Sequence, residues 1–199
     1  MFIAGFDPVQ MTLYAVLFFA LKHPKTHVIL TKEIRDAFAT YDDMTPEALA
    51  HLKYLHAFIY ETLRVHLTTP TGMPRIYPGA TVDGVYVPKG TQVVVQLSNF
   101  TAMCHERYFA DPLDFRPERW LPPDHALYDK RYASDSLKAF FPFSLGPRQC
   151  SEQAIAWSQT RMFLGKVLWT FDLEGVRARV FVLIGISPCI YCRIDPNCG

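Results

Sequence analysis

The sequence is poor in several features that would place it quickly. Cysteine is scarce: Cys104, Cys150, Cys189, Cys192 and Cys198 are an odd, unevenly spaced set in 199 residues. That excludes a disulfide framework and points to a reducing compartment. Neither sign of charge is in excess, with 20 Lys+Arg against 19 Asp+Glu and a net charge of +1. Nucleic-acid binding needs a clustered positive surplus, and no Lys/Arg run supplies one. Repeats and low-complexity tracts are missing too. So are long apolar runs. "MTLYAVLFFAL" is roughly half the length that a bilayer-spanning helix needs. Asp7 and Pro8 precede it instead of a basic leader, and Lys22, His23 and Pro24 follow it instead of a small-residue cleavage site. "VFVLIGISPCIYC" near the other end is also too short. We expect no targeting or membrane segment in this chain.

What is present is hydrophobic and mostly helical in pattern. Half of the residues are hydrophobic, enough for one medium domain or part of a larger one. Residues 9–21 are almost continuously apolar and predict a helix buried on most faces, ended by His23-Pro24. Pro24 opens a second helix, with Val28, Ile29, Ile34, Ala37 and Phe38 near helical spacing. A third, "MTPEALAHLKYLHAFIYETLRVH", has Thr45 as N-cap, Pro46 at the first turn and a stripe of Leu52, Leu55, Ile59 and Leu63. "ATVDGVYVPKGTQVVVQL" then alternates between turn signals at Asp83-Gly84 and Pro88-Lys89-Gly90, which predicts short strands. Residues 112–142 are Pro-rich and irregular. A helical pattern returns over 153–169. The expected fold class is mainly α with a small β region.

Chemistry concentrates in "FPFSLGPRQCSE", residues 141–152. A lone cysteine is most often a buried structural sulfur. Cys150 instead stands directly before a helix, where backbone N–H groups and the helix dipole favour an anion, so it can offer a thiolate to a metal. Gly146 permits a tight turn, and Arg148 can pair with an acidic group of a cofactor. Glu61 and Arg64 lie three apart on one predicted helix. Such a pair is usually an exposed contact of small worth, but the apolar stripe around it implies burial. The Cys189-Ile190-Tyr191-Cys192 spacing has no second pair or histidine partner and is read as incidental.

These residues resemble a known family. "FSLGPRQC" is similar to the haem-binding loop of the cytochrome P-450 family, the haem-thiolate monooxygenases. "AGFD" (Ala4 to Asp7) resembles the oxygen-activating stretch of the family's long central helix. "ETLR" (Glu61 to Arg64) resembles its Glu-x-x-Arg signature, and "FRPERW" (Phe115 to Trp120) its Pro-Glu-Arg-aromatic motif. The wording around "PRIYPGATVDGVYVPKGT" and "ERYFADPLDFRPERWL" is close to fungal members of secondary metabolism. The resemblance covers residues 1–174 and leaves 175–199 as a divergent tail. It implies the C-terminal part of the P-450 fold: the end of the central helix, the Glu-x-x-Arg helix, the meander, the cysteine loop and the helix after it, with the N-terminal part absent.

The same resemblance implies a haem- and iron-binding monooxygenase that puts one atom of O2 into a small apolar organic substrate. Cys150 would be the axial thiolate of haem b (iron protoporphyrin IX), with Phe143, Gly146, Arg148 and Arg75 around the cofactor. Asp7 would serve oxygen activation. Thr69 to Met73 would line the substrate pocket, and Glu61, Arg64 and Arg119 would form a structural triad behind the haem. Electrons would come from NADPH through a reductase partner, in an intracellular setting where full-length relatives are expected at the endoplasmic reticulum membrane. Two positions depart from the family pattern. Pro8 replaces an alcohol that helps to deliver protons, and proline also breaks the helical hydrogen-bond ladder. Glu152 replaces a glycine close to the haem and adds a negative charge near the thiolate. The alternative is a truncated, non-catalytic family fragment with weak or no haem binding.

Overall fold

The computed structural model describes residues 2–68, 74–94 and 103–173. The first helix, α1, runs over Phe2–Lys22, α2 over Pro24–Ala37, α3 over Pro46–Ala50, α4 over Lys53–Val65 and α5 over Gln153–Thr170. Strands β1 (Pro74–Ile76) and β4 (Gln92–Val94) pair antiparallel, as do β2 (Ala80–Val82) and β3 (Val85–Val87). Short 3₁₀ turns at Pro117–Trp120, Lys130–Tyr132 and Leu137–Ala139 punctuate the Pro-rich meander. Among the described residues no helix is long and apolar enough to cross a membrane.

α4 is the central element, packed against α1, α2, α5 and the Pro117–Trp120 turn. Burial takes in Tyr54, Leu55, Ala57, Phe58, Ile59 and the whole run from Glu61 to Val65, far more than one stripe. Such a helix must satisfy its polar residues internally, and that need sets up the site below.

Four sequence expectations need correction. Pro8 does not interrupt α1, which runs through it. Proline removes only the bond from its own nitrogen, and Pro8 sits in the second turn, where the carbonyl it crowds belongs to the helix's first turn. Among its described side chains the same helix buries Ala15, Val16, Phe19 and Ala20 alone, while Tyr14 is 48% exposed. Val28 faces solvent at 66% exposure, because α2 buries Thr26, Leu30 and Ile34 on a strict i, i+4, i+8 row.

The expected third helix is two. His51 and Leu52 break it, and the Glu33 carboxylate from α2 accepts the backbone N–H groups of Tyr54 and Leu55, both at 2.8 Å. A side chain from another helix thereby caps α4, which satisfies its orphan donors and restarts the helix. Thr45 caps α3 as expected, accepting the Ala48 N–H at 3.2 Å. In the β2–β3 hairpin Asp83 and Gly84 both have positive φ, 46° and 81°, the geometry of a two-residue turn that matches strand twist.

Candidate functional site: the cysteine loop and its buried support

The cysteine loop is curled by two departures from ordinary backbone on either side of an extended Leu145. Ser144 has φ 63° and Gly146 φ 72°. The second is tolerated because it is glycine; a Cβ there would meet nothing within 4 Å. The Cys150 N–H then donates to the Phe143 carbonyl at 2.9 Å and closes the loop. Cys150 itself is a free cysteine and exposed, three residues before α5. Near it in sequence, Leu145 is 64% and Ile155 53% exposed. Phe143 is half-buried and turns inward, packing against the core.

Between α4 and the Pro117–Trp120 turn, the structure brings Glu61, Arg64 and Arg119 together. Arg64 Nε and Nη2 donate to the two Glu61 carboxylate oxygens at 2.8 Å each. Arg119 Nε reaches Glu61 Oε1 at 3.2 Å, the Arg116 N–H donates to the same oxygen at 2.8 Å, and Trp120 Nε1 donates to Oε2 at 2.9 Å. The remaining Arg64 donors go to the carbonyls of Met103, Pro112 and Asp114 at 2.7, 2.6 and 3.0 Å. With those bonds the guanidinium has used its whole fork of donors. Arg119 in turn pairs with Asp135 and donates to the Ala110 carbonyl at 3.1 Å.

Both charges of the central pair are completely out of water. Burial pushes the Glu61 carboxyl up, but Arg64, Arg119 and the Arg116 N–H outweigh it and hold the group below its usual range. Arg64 is moved down by burial and further up by Glu61, so it stays charged. No proton exchange is available to a pair held this way. Its geometry is that of a fastener, tying α4 to the meander.

Asp7 is exposed in the second turn of α1. Thr12, the nearest hydroxyl along the helix, already donates to the Pro8 carbonyl at 2.8 Å. Glu152 is exposed at the head of α5 and makes no capping bond. Arg75 lies on β1 opposite Val93, and Arg148 ends the 3₁₀ turn that begins at Gly146; both side chains fall outside the described part. Thr69 to Met73 lie outside the described residues, as do Cys189, Cys192 and the tail 175–199.

Asp135 and Trp120 escaped the sequence reading as members of the buried network. Trp120 stands inside a quoted motif and could have been found by asking what its indole N–H bonds. Asp135 had no local signal, since its partner arginine comes from the Pro117–Trp120 turn, 16 residues earlier.

One further group joins α4 to α5. Arg161 Nη2 lies 3.3 Å from His56 Nδ1, and the His56 ring stacks near Trp157 at 5.4 Å. Burial, and then Arg161, push His56 down to about 4. A histidine held neutral in the fold favours the folded state fully above the ordinary imidazole range near 6.5. That contribution is lost as pH falls from about 6.5 towards about 4, because the unfolded chain takes up the proton first. Urea unfolding across this window should show stability declining with acid, and His56→Leu should flatten the decline. An identical slope in the variant would show that His56 does not carry it.

Comparison with known proteins is consistent across two searches. The family model "Cytochrome P450" matches residues 1–183. Among curated proteins, the cytochrome P450 monooxygenase TwmD of Talaromyces wortmannii is 51% identical over 174 residues, which is 87% of this chain and 34% of that protein. The cytochrome P450 monooxygenase poxC of Penicillium oxalicum is 43% identical over 88% of this chain and 36% of its own length. The cytochrome P450 monooxygenase btcC of Neocamarosporium betae is 41% identical over 85% and 33%. The chain thus spans about a third of the length of the curated relatives it matches.

Proposed function

The chain belongs to the cytochrome P450 family, and from that premise we propose that it supplies the cysteine-ligand side of a haem-thiolate monooxygenase acting on a small apolar organic substrate. The observation that carries this reading is the exposed, unpaired Cys150, presented by a closed loop at the head of α5. The residues fit the group. A single soft donor is what a haem iron takes from the proximal protein side. Exposed Leu145 and Ile155 offer apolar contact to a flat ring, and the open space over Gly146 leaves room for it. Among the described residues no group of three or more His, Cys, Asp or Glu side chains could hold a metal ion; Cys150 would act as one donor to a group that brings the others.

Bound haem would supply oxygen activation at iron, which a cysteine thiolate favours by pushing electron density towards it. The chain's own part is to hold that thiolate. Cys150 Sγ donates; Phe143 packs inward and fixes the loop by its carbonyl. Arg75 and Arg148 are assigned to the propionates, and Asp7 to proton transfer from solvent. Glu61, Arg64 and Arg119 bind the framework and move no proton. Electrons are assigned to NADPH through a reductase.

A specific observation favours the second reading, a non-catalytic fragment with weak or no haem binding, in its catalytic half alone. Pro8 has no hydroxyl and the Thr12 hydroxyl is bonded to the Pro8 carbonyl, so this turn of α1 offers no free alcohol for proton delivery. Titration of the full chain with hemin separates the two. Saturation at one equivalent with a low-spin ferric spectrum is expected; a chain that takes up hemin only non-stoichiometrically is the fragment.

A further inference from the structure

Among the described residues, one route from the loop that carries Cys150 to the central helix runs through Trp157, beside the direct contact of Phe140 with Tyr60 at 5.0 Å. Trp157, in the second turn of α5, lies 5.9 Å from Phe143 on its loop side. It also stacks on Tyr60 at 5.0 Å and near His56 at 5.4 Å, both on α4. His56 and Tyr60 are themselves 4.2 Å apart. Arg161, one turn further along α5, places its guanidinium 5.0 Å over the Trp157 ring while reaching His56 Nδ1 at 3.3 Å. Arginine can only donate, so His56 Nδ1 accepts and the ring proton sits on Nε2. Arg161 Nε is buried without a hydrogen-bond partner among the described residues, so the guanidinium is held here by the Trp157 face and His56 Nδ1.

We propose that Trp157 is a positioning residue for Cys150, clamped by His56, Tyr60 and Arg161 so that it fixes Phe143, whose carbonyl holds the Cys150 N–H. Aromatic pairs at these separations add to area burial, and a guanidinium over an indole adds more. The clamp lies on two helices, not in the loop, which suits a site needing its ligand held tightly. Its consequence for ligation rests on the haem-thiolate reading, but its effect on the loop does not.

The test uses the full chain and two readouts. Amide exchange at the Cys150 N–H, without haem, should speed up about tenfold in Trp157→Ala, with exchange in the last turns of α5 unchanged. Trp157→Phe, which keeps a ring, should restore most of the protection. With hemin added, the reduced CO complex of Trp157→Ala should shift from thiolate to neutral-thiol ligation, and Trp157→Phe should not. Unchanged Cys150 exchange in Trp157→Ala overturns the proposal. Faster exchange with no thiolate signal even in the unaltered chain upholds the clamp and sinks the haem reading instead. Should Trp157→Ala not fold, His56→Leu removes one jaw alone; it is expected to raise Cys150 exchange several-fold, and no rise overturns the proposal.

Discussion

Arg64→Ala should abolish cooperative folding. Both partners of the Glu61–Arg64 pair are completely buried, and removing one leaves the other charged and unpaired at a cost of about 3–5 kcal/mol. The buried carbonyls of Met103 and Pro112 lose their Arg64 donors as well, and each buried acceptor left unpaired costs about 1–3 kcal/mol. A typical domain has only about 5–15 kcal/mol in total. We therefore expect Arg64→Ala to give a chain without a sigmoidal urea transition. Arg64→Lys should rescue little, because a single ammonium cannot reach two carboxylate oxygens and three carbonyls together. A sharp transition within about 1 kcal/mol of the parent would show that the network contributes far less than its burial implies. Acid should act on the same network. Glu61 is held below its usual range, so its contribution is present at neutral pH and is lost as pH falls through that lowered value.

Cys150→Ser should remove haem binding without disturbing the fold. The loop closes through the backbone N–H of Cys150, not its sulfur, and the side chain is exposed. Serine is nearly the same size and keeps that N–H, so the urea transition should not move. What disappears is the soft donor. Changing residues that merely support a metal ligand costs 10–100-fold in affinity, and we expect loss of the ligand itself to exceed about 100-fold. Hemin titrations of the two chains, side by side, measure this. Equal affinity would mean that hemin binds elsewhere, on exposed apolar surface.

The sequence showed some of this more clearly than the rest, for physical reasons. The β2–β3 turn at Asp83-Gly84 was legible because a two-residue hairpin needs positive φ at both positions, and few residues tolerate it. The Thr45 cap was legible because a cap is a contact over three residues. The break at His51-Leu52 was not, since it depends on the Glu33 carboxylate arriving from α2. Val28 misled because it heads the apolar run Val28-Ile29-Leu30, which fits several helical faces, and only packing decides among them. At the site, Cys150, Glu61, Arg64 and Arg119 stood in recognisable short motifs. Asp135 and the His56–Trp157–Arg161 group join residues distant in the chain, and no local pattern announces them.

The central claim is that Cys150 can still present a thiolate to haem iron. Its most direct test is the reduced, CO-bound difference spectrum of the chain supplied with hemin. The band of a thiolate-ligated CO complex is expected, and it should be absent in Cys150→Ser. No band, or one given by histidine-ligated or free haem, would contradict the account and leave the chain a family member without the family's site.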